Sequence, residues 1–305
     1  MITEKLGRTG EMPPMIIVGV ANTHRYRDLL PVPTRGRAET GGAEAFLKVL
    51  ENEIIPYVEK NYRTKPFRVL AGPQAAAIFS LYALLENPQL FNIIIAENPF
   101  MNPDNAEYLY PRADTFFKTS DRFNNYLYIK CENDERPDML GYAKKLADLL
   151  ENEKPAGLRF KIDFMESSGF FITPLPFKAP LREFFTGHRL PDDFQASNLD
   201  DILQYYEERS EAYGFDVDPP EHMLTFQGVG MNQQNKTGEA IKVFQYQHKL
   251  YPKSLNALFQ LGESYRGLGQ YELAAKYYKA FLDIEDRDAA FIKQRLEEVT
   301  KKIGD

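Results

Sequence analysis

The chain has 305 residues, 43 % of them hydrophobic and 27 % charged, which excludes a disordered chain or a collagen-like fibre and, at about 150 residues per domain, predicts two domains. Thirty-seven basic against 44 acidic side chains leave a net charge of −7, the wrong sign for a phosphate-backbone binder, so nucleic acid is not an expected partner. One cysteine, Cys131, and four histidines exclude a disulfide framework and supply no zinc-type ligand cluster; no metal and no cofactor are expected.

No apolar run approaches the about 18 residues needed to cross a bilayer, and the opening MITEKLGRTGEMPP lacks the apolar centre of an export signal. The chain as it stands is expected neither to span a membrane nor to be exported, and its compartment is left open. After Pro13-Pro14, the β-branched run MIIVGV (15–20) predicts a buried strand. Gly41-Gly42 then opens a helix in which Phe46, Leu47, Leu50, Ile54, Ile55 and Val58 recur at helical spacing up to Tyr62. No Gly-Lys-Ser/Thr follows the glycine pair, so helix initiation accounts for it better than a phosphate loop. A strand at 68–72 leads into a helix at 75–86, which Asn87-Pro88 ends. Strands at 92–96, 126–131 and 158–165 and helices at 139–151 and 176–186 complete this part. Five strands, most separated by helices, predict an α/β fold: an open parallel sheet with helices on both faces and ligands at the carboxyl ends of the strands.

From residue 199 the strand signal ends, and LDDILQYYEERSEAY (199–213) predicts an acidic amphipathic helix. Residues 1–190 sum to zero charge, whereas 192–221 hold ten acids against one base, Arg209. Such a step marks a domain connection, and a solvated acidic face is its plain reading. Beyond Pro219-Pro220 the pattern is helical throughout and repeats every 34 residues: Leu224/Leu258, Gly228/Gly262, Ala240/Ala274, Phe244/Tyr278. Two such units and a charged capping helix at 289–303 fall short of the about three needed to stand alone, so support from helix 199–213 and the sheet domain is expected. The predicted division is an α/β domain over 1–190, an acidic helical linker over 191–220 and an all-α repeat domain over 221–305.

Three segments, PPMIIVGVANTHRYRDLLP (13–31), GGAEAFLKVLENEIIPYVEKNYRT (41–64) and RVLAGPQAAAIFS (68–80), together resemble the esterase branch of the α/β-hydrolase fold, the branch that contains siderophore (enterobactin-type) esterases. Residues 258–282 resemble the tetratricopeptide repeat closely, and the preceding copy resembles it less strictly. The esterase resemblance implies a nucleophile elbow at the strand-to-helix turn. Where the family carries Gly-His-Ser-Phe-Gly-Gly, this chain has Gly72-Pro73-Gln74-Ala75-Ala76-Ala77. Gln74 thus holds the nucleophile position, followed by Ala75 on the ligand side. Where the family carries Glu-Ser-His-Gly, the chain has Glu166-Ser167-Ser168-Gly169, which puts Ser168 at the position of the general base. The acid would come from Glu132, Asp134 or Glu135. An amide forms no acyl intermediate and a hydroxyl has no useful proton affinity at neutral pH, so the resemblance implies a scaffold that has lost its proton-transfer pair. It also implies further strands ahead of residue 15, one of them between 15–20 and 68–72. Either those two segments pair directly or the chain is truncated, and truncation is the favoured expectation because unpaired edges within a sheet are costly.

His24, Arg25 and Arg27, in the loop after the first run, stand on the ligand side and could meet an anion; solvated loop residues are the plainer reading. His188, His222 and His248 suit solvated or packing roles, Ser80 and Cys131 suit packing, and a displaced nucleophile at Ser167 or Ser168 lacks a nearby base. Three functions follow. The first is a degenerate, inactive serine-esterase-like protein that binds a protein or peptide through its repeat groove, with a small ester-like ligand as a further partner. The second is an active carboxylic-ester hydrolase with a rearranged site built on His24 and a serine. The third is a nonfunctional fragment.

Overall fold

A computed structural model describes residues 2–99, 102–119, 124–133, 137–153, 156–166, 177–285 and 289–304. It divides into two compact units, one made of Met1–Thr3 and Met15–Phe184 and the other of Glu4–Pro14 and Phe185–Asp305. The chain opens with α1 (Ile2–Arg8), followed by an extended stretch, α2 (Arg25–Leu29), α3 (Ala43–Val49), a π-helical turn (Leu50–Ile54) and α4 (Ile55–Asn61). Pro56 explains the π turn: it has no N–H to give and its ring crowds the preceding turn, so the helix widens just ahead of it.

The sheet has four parallel strands in the order β1 (Val69–Pro73), β2 (Ile93–Glu97), β3 (Tyr126–Asn133) and β4 (Arg159–Glu166). The crossovers are α5 (Ala75–Glu86), α6 (Pro103–Thr119) and α7 (Pro137–Glu153). With strands in sequential order, right-handed crossovers place all three helices on one face. There they bury Ile94, Ala96, Leu127, Ile129 and Cys131. The other face carries Tyr126, Tyr128 and Lys130, in register with Arg159, Lys161 and Asp163. On it α8 (Lys178–Phe184) lays Phe184 at 5.7 Å from Tyr126 and pairs Glu183 with Lys161 at 2.6 Å. Flanking helices thus cover a parallel α/β sheet.

Three expectations need correction. Residues 15–20 do not form a strand, and the described sheet has four strands instead of five. The run is extended, yet no backbone amide or carbonyl of residues 15–21 is hydrogen-bonded, and Ile16, Ile17, Val18 and Val20 remain 40–51 % exposed. β-propensity supplies the conformation, but a strand also needs an open ladder about 4.8 Å away, and direct pairing with β1 does not occur. Helix α6 went unrecognised because Pro111 interrupts its interior; burial of Leu109, Ala113 and Phe117 holds it across that break. The helix expected over 176–186 is shorter, at Lys178–Phe184.

The second unit is helical: α9 (Leu199–Tyr213), α10 (Glu221–Gln233), α11 (Thr237–Leu250), α12 (Leu255–Gly267), α13 (Tyr271–Ile284) and α14 (Ala290–Gly304). The Asn198 side chain caps α9 by accepting from the Asp201 amide, and Gly214 closes it with a left-handed φ of 79°. The 34-residue spacing has a packing cause. A Cβ at Gly228 would lie 2.4 Å from the Phe244 ring, and one at Gly262 would lie 2.4 Å from the Tyr278 ring, so each aromatic lies directly on a bare helix backbone. Gly262→Ala is expected to cost about 1–3 kcal/mol through overpacking, less the about 1 kcal/mol of helix propensity it gains. Gly230→Ala, in the open part of α10, should instead stabilise by up to about 1 kcal/mol. Urea-unfolding midpoints of the two variants should therefore move in opposite directions.

Candidate functional site at the carboxyl ends of the strands

β1 passes into α5 through one residue. Gln74 adopts φ 56° and ψ −114° and makes no side-chain cap. Its amide donates to the Glu97 carbonyl at 2.8 Å, and its carbonyl accepts from Ala77 and Ile78. A Cβ at Gly72 would meet that of Ala76 at 2.4 Å. The sharp turn thus depends on a glycine and carries a half-buried glutamine at its apex, with Ala75 fully buried behind it. Arg25 reaches the same turn, its guanidinium donating to the Pro73 carbonyl at 2.8 Å.

Beside the turn, the ends of β2 and β3 bring Glu97, Lys130 and Glu132 together. The Lys130 ammonium lies 2.9 Å from a Glu132 oxygen and 3.4 Å from Glu97 Oε1, and the three side chains are 6–13 % exposed. Glu97 Oε2 is buried without a partner. Burial pushes the Glu97 carboxyl above its ordinary range, against the attraction of Lys130. For Lys130, burial is the largest influence and acts to lower the value, but the hydrogen bonds and attraction of Glu132 and Glu97 together outweigh it and hold the ammonium above its usual range. By distance, Lys130 and Glu132 are the primary pair. Asn98, at φ 46°, fixes this end: its amide donates to the Lys130 carbonyl, and its side-chain oxygen accepts from the Glu132 amide, both at 2.7 Å.

The other sequence candidates fall as follows. His24 is the N-cap of α2, with Nδ1 accepting from the Arg27 amide at 3.1 Å. Arg27 donates to Asp28 and Thr23, so only Arg25 of this trio meets the turn. Ser80 is buried and donates to the Ala76 carbonyl. Cys131 is buried, its thiol pushed up to about 12 by burial. His188 lies buried 2.9 Å from the Gly10 carbonyl. His222 is held below its ordinary range mainly by burial, and His248 Nδ1 has no partner. Ser167, Ser168, Asp134 and Glu135 lie outside the described residues. Among the described residues no group of three His, Cys, Asp or Glu side chains could hold a metal ion, and no helix is long and apolar enough to cross a membrane. Sequence reasoning missed Glu97, Asn98 and Lys130. The available signal was a lysine inside the apolar strand YLYIKCEN and an acid closing the strand IIIAE, which the register pairs as Glu97 with Lys130.

Residues 2–145 match the model of the family described as "Putative esterase". A curated relative, the ferri-bacillibactin esterase BesA of Bacillus subtilis, is 27 % identical over 185 residues; the match covers 53 % of this chain and 63 % of that protein. Over these spans the chain is similar to esterases. Among solved structures, an IroE-like serine hydrolase from Shewanella oneidensis is similar in fold, with a TM-score of 0.66 at 22 % identity, covering 82 % of this chain and 85 % of that one. An uncharacterised protein from Capnocytophaga ochracea matches 98 % of this chain and 86 % of its own, with a TM-score of 0.59 at 18 % identity. The turn at Gln74 directly follows β1 and so lies at the carboxyl end of the sheet, where ligands bind in parallel α/β folds.

Two measurements probe the charged cluster. Lys130→Met leaves two buried carboxylates without their cation and is expected to cost about 3–5 kcal/mol in urea unfolding at neutral pH. The raised Glu97 value means that the folded state keeps a proton the unfolded chain releases. Its contribution to stability is complete below the ordinary value of 4.5 and is lost as pH rises through the folded value. Glu97→Gln should flatten that fall in stability between mildly acidic and neutral pH.

Proposed function

We propose that this chain is an esterase-type scaffold that no longer cleaves esters and acts as a binding protein. In this reading the helices from α10 onward are tetratricopeptide-type repeats that cradle an extended peptide, and the site at the strand ends binds a small ester-like ligand. Gln74 at the apex of the turn carries the proposal. Acyl transfer at such an elbow needs a hydroxyl or thiol there with a base to activate it, and an amide is neither. Arg25, which donates to the Pro73 carbonyl, and Lys130, paired with Glu132 at the neighbouring strand ends, are cations suited to holding a polar group. The repeat reading is supported by the two glycine–aromatic contacts 34 residues apart, Gly228–Phe244 and Gly262–Tyr278. The name of the Bacillus subtilis relative supplies the ester class to test.

The native chain is expected to show no turnover above buffer with p-nitrophenyl butyrate or ferri-bacillibactin. Gln74→Ser combined with Ser168→His should restore hydrolysis by about 100-fold or more over the native chain, the scale of one positioned acid–base group. Turnover by the native chain that a single serine substitution abolishes would establish the rearranged hydrolase instead.

A further inference from the structure

Residues 15–21 combine two features that rarely stay together at a free surface. Among the described residues their backbone groups have no hydrogen-bonding partner, and Ile16, Ile17, Val18 and Val20 are 48, 51, 48 and 40 % exposed. Beside them Tyr57 of α4 and Tyr62, the residue that follows it at the C-cap, are 65 and 55 % exposed across a groove of about 710 Å³. Ile16, Ile17, Val18, Tyr57 and Tyr62 all line that groove, and large apolar side chains half-exposed around one groove make a surface of several hundred Å², the scale that marks an interaction site and a large part of the about 800 Å² each partner gives to a stable interface.

We propose that two copies of the chain meet here, by antiparallel pairing of residues 16–20 about a twofold axis through Val18. The sequence is self-complementary in that register. Ile16 stands opposite the partner's Val20, Ile17 opposite the partner's Gly19, and Val18 opposite its own copy, so the bulky Ile17 meets a residue with no side chain. The stretch MIIVGVAN carries no charge, which a twofold pairing requires because it brings identical residues close together and like charges directly opposite destabilise. Pairing satisfies backbone groups the lone chain leaves open, and each copy contributes the same area.

Cysteine cross-linking reads the register directly. The only native cysteine, Cys131, is 4 % exposed and does not compete. Residues opposed in an antiparallel pair have Cα atoms about 4.5–5.5 Å apart, within disulfide reach. Val18→Cys is therefore expected to form a covalent dimer under mild oxidation. Val20→Cys is not, because its copy lies four residues along the ladder, about 13 Å away. Sedimentation should show the native chain as a concentration-dependent dimer. Ile17→Lys should weaken that dimer by about tenfold or more, equivalent to about 1.4 kcal/mol, with an unchanged far-UV spectrum. A native chain that stays monomeric, as it would if a different segment covered this face, overturns the proposal. So does a dimer in which Val18→Cys fails to cross-link or Val20→Cys cross-links equally well.

Discussion

The close approach of Gly72 to Ala76 sets the geometry of everything at the carboxyl end of the sheet. It lets the chain reverse from β1 into α5 through a single residue, and that residue pays with a φ of 56°. A side-chain-bearing residue in this region costs on the order of 1–3 kcal/mol. The cost is offset by what the turn makes possible: α5 buries nine of its twelve residues, and the Gln74 amide is tied to the Glu97 carbonyl. Packing dictates the turn, and the identity of its apex side chain does not. Shared shape therefore does not by itself imply shared chemistry.

The same tie fixes the neighbouring charges. Holding Gln74 against Glu97 aligns the ends of β1 and β2, and the parallel register then carries Glu97 to Lys130. Asn98 takes a left-handed turn directly after β2, and its side chain caps the Glu132 amide. One ammonium thus stands between two carboxylates in a nearly dry setting, where desolvation takes back much of what attraction supplies. Such a group specifies an arrangement more than it stabilises one.

Much of this was legible in the chain. The short, mainly apolar runs at 68–72, 92–96 and 126–131, each bounded by turn residues, located the strands to within two residues, because runs this short between turn signals leave no room for a helix. Gly72 and the alanines after it marked the tight turn. The segment 15–20 misled for the same reason the others succeeded: a β-branched run declares a conformation but cannot declare a neighbour. Pro111 hid α6, since the loss of one backbone hydrogen bond is visible in sequence and the burial that offsets it is not. The Lys130 cluster needed the register of two strands, 33 residues apart, and no local pattern encodes that pairing.

The acidic helix α9 shows how a composition signal and a structural one can both hold. Asp200, Glu207, Glu208 and Glu211 are exposed, the solvated face its charge implied. Its opposite face carries three tyrosines whose hydroxyls donate to consecutive carbonyls: Tyr205 to Gly187, Tyr206 to His188, and Tyr213 to Phe185 and Thr186. Those four residues follow the last turn of α8, where carbonyls lose their helical partners and must find others. Tyrosine suits the task because its ring buries apolar area while its hydroxyl still reaches a polar group. Ionised phenolates could not donate these bonds, and burial pushes the Tyr206 hydroxyl far above its ordinary range. The acids keep α9 soluble on one side, and the tyrosines fasten it to the chain segment that opens the helical unit on the other.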